Sequence, residues 1–182
     1  MRYVVALTGS SGIAYGIRLL EVLKGERILV MSRTAERLAE EEIGRRPDEL
    51  KGLADRHFDD GDLFAPISSG SYPIDGMIIV PCSLSTVSKI AHGIGDTLIT
   101  RAAAVALKER RKLVLVPRET PVSTIMLENM TTLSRAGAVI LPACPGFYHS
   151  PGSMEDLIDF VVGKVLDQLG EDHGLFRRWT GE

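Results

Sequence analysis

Arg2-Tyr-Val-Val-Ala-Leu-Thr-Gly-Ser-Ser-Gly12, running directly into Ile13-Ala-Tyr-Gly-Ile-Arg-Leu-Leu20, decides the fold. A β-branched apolar run stops at a Gly/Ser cluster and an amphipathic pattern starts at once, which reads as strand, tight turn, helix. Gly9 and Gly12 let the backbone turn sharply and approach a ligand. Ser10 and Ser11 set hydroxyls beside the free N–H groups of a helix start, where the helix dipole favours an anion. A phosphate-bearing ligand above the first strand is one reading of this loop. The other is an ordinary β–α turn with a Ser cap, because the loop is neither G-x-G-x-x-G nor a Walker sequence.

The same alternation continues along the chain. Strand-like runs recur at Tyr3–Leu7, Arg27–Met31, Gly76–Val80, Lys112–Val116 and Ala138–Leu141. Helical patterns fill the gaps at Ile13–Leu23, Thr34–Glu42, Ser85–His92, Thr97–Lys108, Val122–Arg135 and Met154–Leu169. The strands are continuously apolar, as expected where helices cover both faces of a parallel sheet. The expected fold is therefore α/β, a doubly wound parallel sheet in three αβα layers. The whole of 1–182 is expected to be one domain, with 170–182 a polar tail that either packs on a neighbouring subunit or frays. Between Arg45 and Tyr72 the pattern is least regular and suggests a short strand with long loops.

Composition excludes several classes. With 182 residues, 45% hydrophobic and 25% charged, the chain is a globular protein burying about 70% of its unfolded surface. A formal net charge of −3 gives no reason to expect nucleic acid. The basic cluster from Lys108 to Lys112 is broken by Glu109 and reads as a helix C-terminus. Apolar runs are strand-length, too short to span a membrane. No signal peptide separates Met1 from the first strand, so a cytoplasmic location is expected. Cys82 and Cys144 lie beside prolines in apolar surroundings and are expected to be reduced and packed. No His, Cys or Asp pattern has metal-ligand spacing, so no metal is expected. Met126 and Met130 read as core filling, and Glu40-Glu41-Glu42 as a solvated helix end.

Ligands of such sheets bind beyond the C-terminal strand ends, so the residues after each strand are the candidate site. These are Thr8-Gly-Ser-Ser-Gly12, Met31-Ser32, Pro81-Cys-Ser-Leu-Ser-Thr86, Pro117-Arg-Glu-Thr-Pro121 and Pro142-Ala-Cys-Pro-Gly-Phe-Tyr-His149. Ser83, Ser85 and Thr86 open a helix and could cap it or touch a ligand. Arg118-Glu119, between two prolines at a strand tip, is either a phosphate fork with a neighbouring carboxylate or a local ion pair. His149 falls on a strand-tip loop; His57, His92 and His173 read as loop or surface positions.

Taken in order, these segments resemble the UbiX (Pad) family of flavin prenyltransferases. The resemblance is carried by Thr8-Gly-Ser-Ser-Gly12 with Tyr15–Leu20, by Pro81–Thr86 with Lys89–Asp96, and by Leu98–Ala103. It continues through Leu107–Pro121, Leu127–Met130 and Pro145–His149. It implies a flavodoxin-like fold and an enzyme that needs no metal. That enzyme would join the isoprenyl unit of a dimethylallyl phosphate to N5 of reduced FMN and close a ring onto C6. Prenylated FMN would then serve UbiD-type decarboxylases, as in ubiquinone biosynthesis. Family members are homododecamers built from trimers, with sites between subunits.

Position by position, the resemblance gives Gly9, Ser10 and Ser11 to the flavin, with Ser11 near the reacting N5 edge. Ser32 and the loop Ser83, Leu84, Ser85 and Thr86 would also contact FMN, and so would Arg118. Glu119 would shape the place where protons move, and Glu42 would approach the substrate. Tyr148 and Lys164 would bind the dimethylallyl phosphate, helped by Arg101 and Lys108. Some family members carry Arg at the position of Lys164; Lys keeps the charge and loses the bidentate fork. Without the resemblance, Lys164 reads as a solvated helix residue. Two rivals are an FMN-dependent decarboxylase of the cysteine-decarboxylase superfamily and a non-catalytic FMN carrier. The first lacks its expected residues here, since Ile13–Leu23 holds no His and the Pro81–Thr86 loop no Asn. The second does not account for a basic set (Arg101, Lys108, Arg118, Lys164) larger than one FMN phosphate requires.

Overall fold

The computed structural model describes residues 1–181. Six parallel strands form one sheet in the order β3-β2-β1-β4-β5-β6. They are β1 Arg2–Leu7, β2 Glu26–Met31, β3 Arg56–Asp59, β4 Gly76–Cys82, β5 Lys112–Pro117 and β6 Val139–Ile140. Seven helices accompany them: α1 Ile13–Val22, α2 Arg33–Ile43, α3 Pro47–Lys51, α4 Leu84–Ala91, α5 Leu98–Lys108, α6 Thr124–Arg135 and α7 Met154–Leu169. Without the short edge strand β3, the order is that of a flavodoxin-like sheet.

Strand side chains alternate between two cores. Tyr3, Val5 and Leu7 point into one, with Ile13 and Leu20 of α1, Ala35 and Ala39 of α2, and Phe160, Val162 and Leu166 of α7. Val4 and Ala6 point into the other, with Val87 of α4, Leu98, Ala102 and Ala106 of α5, and Leu133 of α6. The layers are therefore α1, α2, α3 and α7 on one face and α4, α5 and α6 on the other. Each fully buried large aliphatic side chain stabilises this arrangement by about 1.5–3 kcal/mol relative to exposure.

Some local expectations change. β6 is only two residues long, because Gly137 and the prolines from Pro142 leave little chain to pair. The irregular segment holds β3 and also α3, which opens with Pro47 at its first turn. Cys82 is buried, and burial pushes its thiol up; Cys144 is exposed, because its loop lies outside the sheet. His173 is not a surface residue: its side chain is 4% exposed, against α7. Within the tail, Leu175 and Phe176 pack against the core on the α1/α7 face of the same chain. Among the described residues no helix is long and apolar enough to cross a membrane, and no three acidic, His or Cys side chains gather as a metal site.

Candidate active site

The strand order reverses between β1 and β4, since the chain winds outward through β2 on one side of β1 and through β4 on the other. A crevice opens above such a point, and Thr8 fixes its floor. The Thr8 hydroxyl, buried, donates to the Pro81 carbonyl at 3.0 Å and accepts the Ser83 N–H at 2.7 Å. One side chain thus ties the tips of β1 and β4 together.

The cavity above is about 340 Å³, at the lower end of the ~300–1,000 Å³ of small-molecule sites. Thr8 and Gly9 line it from β1, Ser32 and Thr34 from the start of α2, and Ser83, Ser85 and Thr86 from the start of α4. Asp60, Lys89 and the first turn of α5 (Thr97, Ile99, Thr100) complete it. Gly9 is required there: a Cβ would sit 2.7 Å from Thr34 Cγ2. Ser32 and Ser83 are both helix caps, accepting from Ala35 N at 3.2 Å and Thr86 N at 3.3 Å. Capping and cavity lining are therefore not alternatives for Ser83; it does both.

Asp60 shows how the α5 end is built. Its carboxylate accepts the Ile99 N–H at 2.9 Å, and its carbonyl accepts the Leu98 N–H at 2.7 Å. Burial raises its carboxyl above the ordinary value, against the pull of the Ile99 N–H. Lys89 is paired with Asp96 at 2.7 Å. Thr34, Asp60, Lys89, Thr97 and Thr100 were not singled out from sequence; only the position of Asp60, directly after a four-residue strand, could have marked it.

Beside the cavity, β1 and β5 exchange hydrogen bonds. Ser10 Oγ donates to the Arg118 carbonyl at 2.8 Å, and Arg118 Nε donates to the Ser11 carbonyl at 3.1 Å. Arg118 and Glu119 do not pair with each other among the described residues, so the local ion pair is not formed. Glu119 accepts the neighbouring Thr120 N–H at 3.0 Å. The Ser11 residue is exposed beside this clasp, and Leu84 is half-buried at the start of α4 without lining the cavity.

Glu42 is not a plain solvated helix end. Its Oε2 accepts Gly12 N–H at 3.0 Å and Ile13 N–H at 3.1 Å. A carboxylate of the chain itself thus occupies the α1 N-terminus, where sequence suggested an external phosphate, and it completes a helix whose N-cap Gly12 has no side chain to offer.

The four expected donor-phosphate residues do not meet within the chain. Arg101 and Lys108 belong to α5 and Tyr148 and Lys164 to the face of α7, with the sheet between them. Arg101 donates to the Ser68 carbonyl at 3.2 Å, and Lys108 pairs with Glu109 at 3.0 Å. Lys108 also lies at the far end of α5, about 16 Å along the axis from the first turn that lines the cavity. Tyr148 packs edge-on against Phe160 at 5.7 Å, and Lys164 follows Phe160 by one helical turn. A larger groove of about 530 Å³ between α1, α2 and α7 lies away from the strand tips, and four of its five charged residues are already paired, Arg18 with Asp159 at 2.6 Å and Arg45 with Glu21 at 3.7 Å. Position and free polar groups favour the smaller crevice.

A flavoprotein family profile matches residues 1–166. The chain is 52% identical over 180 residues to the flavin prenyltransferase UbiX of Thermoplasma acidophilum, covering 98% of this chain and 100% of that one. Against the flavin prenyltransferase UbiX of Methanothermobacter thermautotrophicus the identity is 51% over 182 residues, covering 98% and 95%. Among solved structures, AnUbiX (PadA1) in complex with FMN and dimethylallyl pyrophosphate superposes with a TM-score of 0.97 at 50% identity, covering 100% of this chain and 98% of that one. A dodecameric FMN-dependent UbiX-like decarboxylase from Escherichia coli O157:H7 superposes equally well, 0.97 at 45% identity, covering all of both chains. The peptidyl-cysteine decarboxylase EpiD, at 19% identity and a TM-score of 0.67 over 93% of this chain and 97% of that one, shares the fold alone.

Proposed function

The chain belongs to the UbiX family of flavin prenyltransferases, and on that footing we propose how its own residues divide the work. The enzyme joins the dimethylallyl group of a dimethylallyl phosphate to N5 and C6 of reduced FMN. The observation that carries the reading is the cavity at the switch point, into which Gly9, Ser32, Ser83, Ser85 and Thr86 converge. Closely spaced hydroxyls around a glycine that admits no Cβ fit a polyol phosphate. FMN, when bound, supplies the nucleophilic ring atoms.

The chain's residues bind, orient and neutralise. Ser32, Ser83, Ser85 and Thr86 hold the flavin's polar chain, with Gly9 and Ser10 beneath it, and Leu84 contributes through its backbone N–H at the start of α4. Ser11 and Arg118, fixed by the clasp between β1 and β5, border the ring edge. Glu119 and Glu42 are the carboxylates available for proton movement, Glu42 after letting go of the α1 N–H groups. Tyr148 and Lys164 take the donor phosphate, and charge on its oxygens is met by Lys164 as the C–O bond opens.

Arg101 and Lys108 complete this cation set from a neighbouring subunit of a homododecamer. Support for that sharing is the sheet standing between α5 and α7 within one chain. The product serves a UbiD-type decarboxylase, and the enzyme works in the cytoplasm as one domain over 1–182. Anaerobic incubation with reduced FMN and dimethylallyl monophosphate, followed by mass spectrometry of the released flavin, tests the reading. A flavin heavier by one isoprenyl unit is expected, absent with Arg118→Ala. Bound but unchanged flavin would instead favour a carrier or a decarboxylase.

A further inference from the structure

The tail reaches both residues of the donor-phosphate pair through consecutive positions. Trp179 meets the Tyr148 ring edge-on at 5.8 Å. Arg178 Nη2 donates to Asp167 Oδ1 at 2.8 Å, and the other oxygen of that carboxylate, Oδ2, accepts from Lys164 Nζ at 3.2 Å. Tight closure of the tail on α7 depends on Gly163, where a Cβ would stand 2.5 Å from Phe176 Cε1 and 2.7 Å from His173 Cε1.

The two oxygens of Asp167 have different partners. Oδ1 takes Arg178 and, at 3.1 Å, His173 Nε2. The His173 ring is anchored by the Leu175 N–H, which Nδ1 accepts at 3.3 Å, and its Nε2 stands 3.4 Å from Arg178 Nη2, whose guanidinium always keeps its charge. Arg178 is therefore the permanent positive charge on this oxygen. Among the described residues Oδ2 has Lys164 alone. The Asp167 side chain is only 17% exposed, so leaving it without a cation is costly. Lys164 is 44% exposed and pairs at i,i+3, a weak contact. A phosphate makes the stronger charge-assisted bond.

We infer that Asp167 and Arg178 are positioning residues of the donor site, forming an exchange pair that holds Lys164 in place and releases it to the donor phosphate. The inference rests on the reading that Lys164 binds that phosphate. When the phosphate arrives, Lys164 changes partners, and Arg178 with His173 keeps the Asp167 carboxylate satisfied. Without Arg178, Asp167 keeps Lys164 as its only charged partner and competes with the phosphate for it.

Steady-state kinetics on the full chain, with saturating reduced FMN and dimethylallyl monophosphate varied, separate these roles. Lys164→Ala comes first: an unchanged donor KM overturns the phosphate reading itself. Given a raised KM there, Arg178→Ala is expected to raise the donor KM about tenfold with kcat nearly kept, and Arg178→Lys to stay near wild type. The decisive variant is Arg178→Ala with Asp167→Asn, which removes the competing carboxylate and returns the KM toward wild type. A purely structural tail contact, or direct phosphate binding by Arg178, predicts no such rescue. An Arg178→Ala KM equal to wild type, or a double variant as impaired as the single, overturns the exchange. FMN affinity is expected to be the same in all variants, which shows that each is folded.

Discussion

The crevice above β1 and β4 and the outer face of α7 are built by opposite means. In the crevice, short hydroxyl side chains and backbone groups are locked to the sheet: Thr8 spans two strand tips and Ser32 and Ser83 cap helices while lining the cavity. On α7, long charged and aromatic side chains from the loop after β6, the helix and the tail meet over a half-exposed surface. The first region lines its cavity with side chains already fixed by hydrogen bonds within the chain. The second has exchangeable partners, and its remaining cations stand across the sheet on α5. A rigid half suits a flavin that must be aligned; an adjustable half suits a small phosphate that must enter and leave.

The largest effect is expected from Thr8→Val in the rigid half. It leaves the Ser83 N–H and one bond of the Pro81 carbonyl unsatisfied in a buried place, at about 1–3 kcal/mol each. Chemical denaturation should show a loss of about 2–4 kcal/mol together with weakened FMN binding. Stability and FMN affinity near wild type would mean that the floor of the crevice is not held as described. Lys164→Ala comes next, and should cost about 10- to 100-fold in kcat/KM for the donor, from a charge-assisted contact of about 1.5–3 kcal/mol. FMN titration of the same variant should be unchanged; a parallel loss would join the two regions that the structure keeps apart.

A smaller, pH-dependent effect belongs to the tail. Burial alone would raise the Asp167 carboxyl, but hydrogen bonds from Arg178, Lys164 and His173 outweigh it and hold it at about 2. Because this folded value lies below the ordinary ~3.9, the stabilisation is present above about pH 4 and is lost as pH falls through about 2. It amounts to about 2 kcal/mol. Trp179 is the single tryptophan, so its emission reports on the tail: constant from about pH 8 to about pH 5, then changing toward about pH 2. Asp167→Asn should remove that acid transition. The smallest effect is expected at His149. Among the described residues neither of its buried ring nitrogens has a partner, and the ring stacks on Phe160 at 5.1 Å. His149→Phe keeps the stack and should change stability by less than about 1 kcal/mol, in the stabilising direction; a loss above that would show that a nitrogen is bonded in the assembled enzyme.

The same contrast explains what could be read in the sequence. Apolar runs ending in Gly, Ser and Pro place the strands and their tips, because sheet burial and turn chemistry act locally. Gly9, Ser32, Ser83, Ser85 and Thr86 were accessible for that reason. Glu42 was not: its bond to the α1 N-terminus joins positions 30 residues apart, and its neighbours Glu40 and Glu41 suggest a solvated end. Asp60 was hidden by the irregular segment around it. Lys164 acquires meaning only from Asp167, His173 and Arg178, and nothing in local periodicity shows that the tail folds back through Gly163. Resemblance to a family supplied the residue types of the proposed donor set, while the layer order sets its α5 and α7 members on opposite faces of the sheet.

Mixed oligomers test the division most directly. Lys108→Ala and Lys164→Ala subunits, each expected to be about 10- to 100-fold less active as pure oligomers, are co-assembled and assayed for prenylated flavin at saturating FMN and subsaturating donor. If one subunit completes the flavin half and two share the donor half, mixed assemblies contain some sites with both lysines and regain activity well above either parent. Mixed assemblies no more active than the average of their parents would contradict the account.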